Sequence, residues 1–260
     1  MHILDTIIAQ KHKEVSAKKS LLPQSLLEKA PWFNKQTVSL AQSLQQSPTG
    51  IIAEHKRRSP SKSVINETAR VQDVISGYEK AGAAGISVLT DTGFFGGSLT
   101  DLAIARASTN LPLLRKEFIV DPYQIYEAKA YGADAILLIA ACLSEEQLRD
   151  LSKLANTLGL EVLLEVHDKA ELQRSLLPEI AMIGVNNRNL KTFKTSVETS
   201  KLLADSIPDH YIKVSESGLA ATEAILELKA LGYRGFLIGE TFMKSNNPGS
   251  TAAEFIKRLL

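Results

Sequence analysis

Two lysines and three glutamates stand where short apolar runs give way to polar sequence. They are Glu54 and Lys56 in IIAEHKRRSPS, Lys116 in LPLLRKEF, Glu165 in LLEVH and Glu216 in SESG. Asn186 and Arg188 follow a similar run in GVNNRNL. An ammonium group can donate a proton and a carboxylate can accept one. Gathered at one point, the set suits general acid–base work on an anionic substrate. The plainer account is a solvated rim of ordinary loop charges. It fits any single residue better than it fits the whole set, because buried charges persist only when paired or used.

The elements that must position these groups are legible from Gly50 onward. Short β-rich runs alternate there with amphipathic stretches, the pattern of parallel βαβ units. Eight strand candidates begin at Gly50, Gly85, Leu111, Asp134, Glu161, Ile180, Tyr211 and Gly235. Helices are expected at 67–81, 99–108, 123–131, 144–158, 168–176, 196–205, 219–231 and near 250–260. Gly82, Gly132 and Gly232 recur at helix-to-strand junctions, where a left-handed residue can end a helix. Eight such units in about 210 residues fit a (β/α)8 TIM barrel of the α/β class. An open doubly wound sheet calls for GxGxxG after its first strand, and none is present. The first ~45 residues look helical, with Ile3, Leu4, Ile7, Ile8 and Val15 near helical spacing and Pro23, Pro31 and Pro48 as punctuation. The expectation is a single barrel domain over 1–260, with 1–47 as its helical N-terminal extension.

In such barrels the chemistry sits at the C-terminal ends of the strands. Side chains alternate along a strand, so Glu54 and Lys56 share a face that His55 does not, and Lys116 pairs with Phe118. The loops after strands seven and eight often hold phosphate. Here they read SESGLA and IGETFM, and Gly218 and Gly239 let backbone N–H groups approach phosphate oxygens closely. Phe95 in TGFFGGS, with Phe118 and Pro60, can form an apolar slot for an aromatic ring. A hydrophobic loop packed over the barrel explains TGFFGGS about as well.

Composition narrows the classes of partner. Thirty basic residues against twenty-nine acidic ones leave a net charge of +1, so no global field favours nucleic acid or an anionic membrane. Hydrophobic content of 44% and charged content of 23% suit a soluble globular protein. The longest apolar run, Ala135 to Leu143, is too short to span a bilayer. The N-terminus reads as an amphipathic helix rather than a signal peptide. With Cys142 alone, no intrachain disulfide can form, and a cytoplasmic location is expected. Cys142 reads as packing rather than a nucleophile. The five histidines form no HExxH or other metal spacing, so no metal is expected. Ser59 and Ser217 show no local His–Asp activating pair. SEEQLRDLSKL reads as a solvated helix face with spaced ion pairs.

The segment IIAEHKRRSPS resembles the Glu-x-Lys-x-x-Ser-Pro-Ser hallmark of indole-3-glycerol-phosphate synthases. LPLLRKEF, LLEVH, GVNNRNL, SESG and IGETFM resemble that family's later motifs in the same order, so the likeness spans essentially the whole chain. The resemblance implies a small-molecule sugar-phosphate substrate, 1-(2-carboxyphenylamino)-1-deoxyribulose 5-phosphate, and an enzyme without metal or cofactor. By the same resemblance Lys116 is the general acid and Glu165 its acidic partner. Lys56 is a second lysine bound by Glu54 and Glu216, and Asn186 is a polar contact. Arg188 faces the anthranilate carboxylate with Ser59 assisting. Ser217, Gly218, Gly239 and the backbone of Glu240 cradle phosphate, with the Glu240 carboxylate turned away. Pro60, Phe95, Phe118, Leu137 and Leu190 wall the aromatic slot. Phosphoribosylanthranilate isomerases, a related kind of barrel, carry a cysteine at the end of strand one, where this chain has Glu54 and Lys56. A catalytically silent barrel fits poorly with intact Lys56, Lys116 and Glu165.

Overall fold

A computed structural model describes residues 3–189 and 192–260. Leu190 therefore lies outside the described residues. Three helices come first, α1 (Ile3–Leu21), α2 (Gln24–Leu27) and α3 (Leu40–Gln46). Strands and helices then alternate: β1 (Ile51–His55), α4 (Val71–Lys80), β2 (Gly85–Leu89), α5 (Leu99–Ser108), β3 (Leu113–Lys116), α6 (Pro122–Ala130), β4 (Ala135–Ile139) and α7 (Glu145–Thr157). The second half continues with β5 (Glu161–Val166), α8 (Lys169–Arg174), β6 (Met182–Asn186), α9 (Glu198–Leu203), β7 (Ile212–Glu216), α10 (Thr222–Ala230), β8 (Tyr233–Ile238), α11 (Glu240–Met243) and α12 (Pro248–Lys257). The strands pair in parallel in chain order and β8 closes on β1, giving the expected TIM barrel. No helix among the described residues is long and apolar enough to cross a membrane.

Strand parity sorts the side chains as the sequence pattern requires. Ile51, Ala53, Ile86 and Val88 face outward into the layer beneath the helices. Ile52, Leu114, Leu163, Met182 and Val214 face inward, where Leu40 and Leu44 of α3 join them and close the lower end of the barrel. Gly82, Gly132 and Gly232 adopt φ of +86°, +85° and +89°, the left-handed helix ends their spacing predicts.

Some boundaries moved. The helix expected at 67–81 begins only at Val71, and the one at 219–231 only at Thr222. The short α11 was not anticipated; four residues carry too little periodicity to read. On α7 no ion pair forms among the described residues. A capping box supports it instead, with Ser144 and Gln147 each satisfying the other's backbone N–H.

Lys11 of α1 is a buried charge that helical spacing of the apolar residues does not announce. It sits between Ile7 and Val15 on the buried stripe. Its ammonium reaches Asp91 at 2.9 Å and Glu117 at 3.1 Å, in the segments after β2 and at the end of β3. Burial works against that charge, but the flanking carboxylates raise the lysine above its ordinary value.

Candidate active site

The C-terminal ends of the strands open into a cavity of about 350 Å³, a volume that suits a small-molecule ligand. Every sequence-predicted site residue among the described ones lines it: Glu54, Lys56, Ser59, Pro60, Phe95, Lys116, Phe118, Leu137, Glu165, Asn186, Arg188, Glu216, Ser217, Gly218, Gly239 and Glu240. Ile3, Leu4 and Ile7 of α1 also reach the cavity, so the N-terminal helix roofs part of the mouth.

Lys116, at the end of β3, is the hub. Its ammonium pairs tightly with Glu216 across the barrel and lies 3.6 Å from Glu165. Burial would lower its pKa, yet Glu216, Glu165 and Glu54 together raise it, so the group stays a cation. Lys56 pairs with Glu54 at 2.6 Å. Glu216 binds Lys116, not the Lys56 that the family resemblance implies. Parity tells which residues face inward but not which of them meet across the barrel. Two glycines make the room: a Cβ on Gly184 would stand 2.3 Å from Glu216 Oε1, and one on Gly239 2.4 Å from Glu54 Oε1.

The carboxylates differ in state. Burial pushes Glu165 up, but Lys116, His167 and the Asn186 amide outweigh it and hold the group below its ordinary value. Asn186 Nδ2 donates to Glu165 Oε1 at 3.0 Å. His167, unassigned from the sequence, stands 3.4 Å from the same oxygen and bonds Glu171 on its other side at 3.2 Å. Glu216 goes the other way. Burial, opposed by Lys116 and reinforced by Glu165 and Glu54, pushes it up to about 7. One buried carboxylate is thus ionised and another is poised to exchange a proton near neutrality.

The upper walls carry the recognition groups. Phe95 and Phe118 lie 5.9 Å apart, with their rings tilted by 41°. The loops that bear them are held by Lys11 through two carboxylates. Asp91 accepts the Phe95 N–H at 3.1 Å, and Glu117 accepts the Phe118 N–H at 2.9 Å. Arg188 Nη1 donates to Ser61 at 3.1 Å, and Ser61 meets Ser59 at 3.2 Å. Among the described residues Ser61 thus links Ser59 to Arg188. The Glu240 carboxylate is drawn to Lys62 at 3.2 Å, and the N–H groups of Gly218, Gly239 and Glu240 find no backbone acceptor among the described residues.

Cys142 packs against both apolar layers, and burial raises its thiol well above the ordinary value, which disfavours the nucleophilic thiolate. No group of three or more His, Cys, Asp or Glu among the described residues is arranged to hold a metal ion.

The family profile described as indole-3-glycerol phosphate synthase matches residues 4–256. The chain belongs to the indole-3-glycerol phosphate synthase family. A member from Bacteroides thetaiotaomicron is 48% identical over 257 residues, covering 99% of this chain and 98% of that one. Another, from Variovorax paradoxus, is 42% identical and covers 98% and 99%. Both relatives bear the family's name, and the family is one of carboxy-lyases. Among solved structures, one described as native KDPGal aligns with a TM-score of 0.59 at 14% identity, over 82% of this chain and 95% of that chain. A tryptophan synthase complex from Pyrococcus furiosus aligns at 0.57 and 15%, over 80% and 95%. At such identities the likeness shows the shared barrel alone.

Proposed function

We propose that the chain converts 1-(2-carboxyphenylamino)-1-deoxyribulose 5-phosphate to indole-3-glycerol phosphate, with loss of carbon dioxide and water, in tryptophan biosynthesis. The observation that carries this reading is the Lys116 ammonium, held among Glu216, Glu165 and Glu54 in a cavity that also offers an aromatic slot. The aromatic carbon bearing the carboxylate attacks the sugar carbonyl. As that carbon–carbon bond forms, the carbonyl oxygen takes a proton from Lys116. Attack breaks aromaticity and puts positive charge on the anilino nitrogen, beside which ionised Glu165 is stabilising. The bond to the carboxylate then breaks, carbon dioxide leaves, and its electron pair quenches that charge. Departure of the new hydroxyl as water, with loss of a ring proton, completes the indole, and Lys56 serves this dehydration.

Arg188 supports binding of the anthranilate carboxylate, since a guanidinium fork meets a carboxylate in a bidentate way. Ser59, by way of Ser61, assists it. Phe95, Phe118, Leu137 and Pro60 sandwich the ring, and Asn186 keeps Glu165 oriented. Backbone N–H groups at Gly218, Gly239 and Glu240, with the Ser217 hydroxyl, hold the phosphate. Residues 1–260 act as one barrel unit with 1–47 its extension, a reading supported by Lys11 and by Leu40 and Leu44. A cytoplasmic site of action follows from a pathway built on small phosphorylated metabolites. The test is indole fluorescence on mixing purified protein with the carboxyphenylamino substrate, after dialysis against a chelator. Product at an undiminished rate is expected, and no product at all would overturn the reading.

A further inference from the structure

The wall behind the phosphate loop holds a buried polar cluster that the chemistry above leaves unused. Asn187 follows β6 with outward parity, the parity that gives buried Ile183 and Val185 on the same strand. An apolar residue is expected there, packed beneath α9. Instead Asn187 is 2% exposed and meets Ser200 of α9 and Ser215 of β7, both fully buried.

A carboxamide has two donor hydrogens and an oxygen with two lone pairs, and Asn187 uses all four. Nδ2 donates to Ser215 Oγ at 3.0 Å and to the Ser217 carbonyl at 3.1 Å. Oδ1 accepts from the Ser200 N–H at 3.1 Å and from Ser200 Oγ at 2.8 Å. Two of these partners are backbone groups with fixed roles, an N–H that only donates and a C=O that only accepts. They settle which way the amide faces. With the Ser200 hydroxyl donating to Oδ1, the Ser215 hydroxyl must be the donor in their 2.8 Å contact. Each hydrogen in the ring has one place.

The reach to Ser217 is the informative contact. Ser217 has φ of +69° and Gly218 +73°. A left-handed serine persists only where its surroundings over-determine it. The Ser217 C=O and the Gly218 N–H belong to one trans peptide, so they point in opposite directions. Drawing that carbonyl into the wall toward Asn187 turns the Gly218 N–H toward the cavity, where it has no backbone acceptor among the described residues.

We infer that Asn187 is a positioning residue that aims the Gly218 N–H at the phosphate of the substrate. The inference rests on the phosphate cradle proposed above. An aspartate in its place keeps the shape and still accepts from Ser200, but it presents oxygen to an oxygen at Ser217 and frees that peptide to turn.

The test compares Asn187→Asp with wild type on the phosphorylated substrate and on its dephosphorylated analogue. Weakened ground- and transition-state binding of one remote group is expected to raise KM about tenfold, with kcat within about threefold. The analogue's kcat/KM should not change between the two proteins. Equal loss on both substrates would mark a purely structural role and overturn the inference, as would unchanged KM. A second readout is the Tm rise caused by inorganic phosphate, expected for wild type and reduced in Asn187→Asp. A wild type that makes no indole product sinks the proposed reaction, yet the phosphate arm still decides on Asn187. Phosphate that shifts neither protein, or both equally, refutes it. Should Asn187→Asp fail to fold, Ser200→Ala loosens the same amide more gently. It should give a smaller KM rise confined to the phosphorylated substrate, and no such rise would again refute the inference.

Discussion

The two ends of the barrel interior are built from the same strands at the same parity and hold opposite chemistry. Toward the lower end Ile52, Leu114, Met182 and Val214 pack on Leu40 and Leu44 with no polar atom among their side chains. Two residues further along the same faces stand buried Glu54 and Glu216 and part-buried Lys116, with Lys116 paired to Glu216 and Glu54 paired to Lys56. Ile52 and Glu54 are neighbours on one face of β1, as are Val214 and Glu216 on β7. A fold that needed only stability would carry the apolar pattern to the top, since hydrophobic replacements of buried ion pairs are often neutral or stabilising. The lower half therefore carries the stability, and the upper half uses it to hold charges where a reaction needs them.

Substitutions at each end sharpen that division. Leu44→Ala should cost about 2–5 kcal/mol of unfolding free energy, the range for a large-to-small core change, while kcat stays near wild type. Chemical denaturation with a parallel assay checks both, and a lost rate with intact stability would break the comparison. Arg188→Lys, at the mouth, should leave stability alone and weaken binding by about 1.5–3 kcal/mol, the scale of a charged hydrogen-bonded contact. A substrate analogue lacking the carboxylate should not distinguish the two proteins; if it does, Arg188 faces something else. For Glu216, pushed up to about 7 by burial, kcat should rise through that pH as the carboxylate ionises and secures Lys116. Glu216→Gln should remove that limb from the pH–rate profile, and an unchanged limb would assign it to another group.

The smallest effect belongs to His55, on the outward face of β1 and buried without a hydrogen bond at either ring nitrogen among the described residues. Burial, aided by Arg57 and opposed by Asp101 and Glu54, lowers its pKa from 6.5 to about 4. Below 6.5 the unfolded chain binds a proton that the folded chain refuses. Stability should thus fall as pH drops from 6.5 toward 4. His55→Phe should flatten that part of the stability profile without touching kcat. A rate change would show that charge on the outer face also reaches the chemistry.

Eight strands were legible because each buried strand is a short apolar run followed by polar sequence, and parity alone put Glu54, Lys56 and Lys116 inside. Pairings were less legible. Glu216 takes Lys116 rather than Lys56, and Arg188 meets Ser61, because neither cross-barrel distance nor loop path is written in strand periodicity. Lys11 had a signal, a charge in the middle of an apolar stripe, but a stripe does not name the carboxylates that answer it. Asn187 had none until its outward parity was seen against a helix.

Lys116 works for chemistry and Leu44 for stability. The most direct test is Lys116→Met, a near-isosteric change, read by both rate and unfolding beside Leu44→Ala. Loss of a positioned general acid should lower kcat by about 10²-fold or more. KM should change much less, and unfolding should cost far less than for Leu44→Ala, because Glu216 can take up a proton when its partner is gone. Near-normal kcat in Lys116→Met, with stability lost instead, would contradict the account.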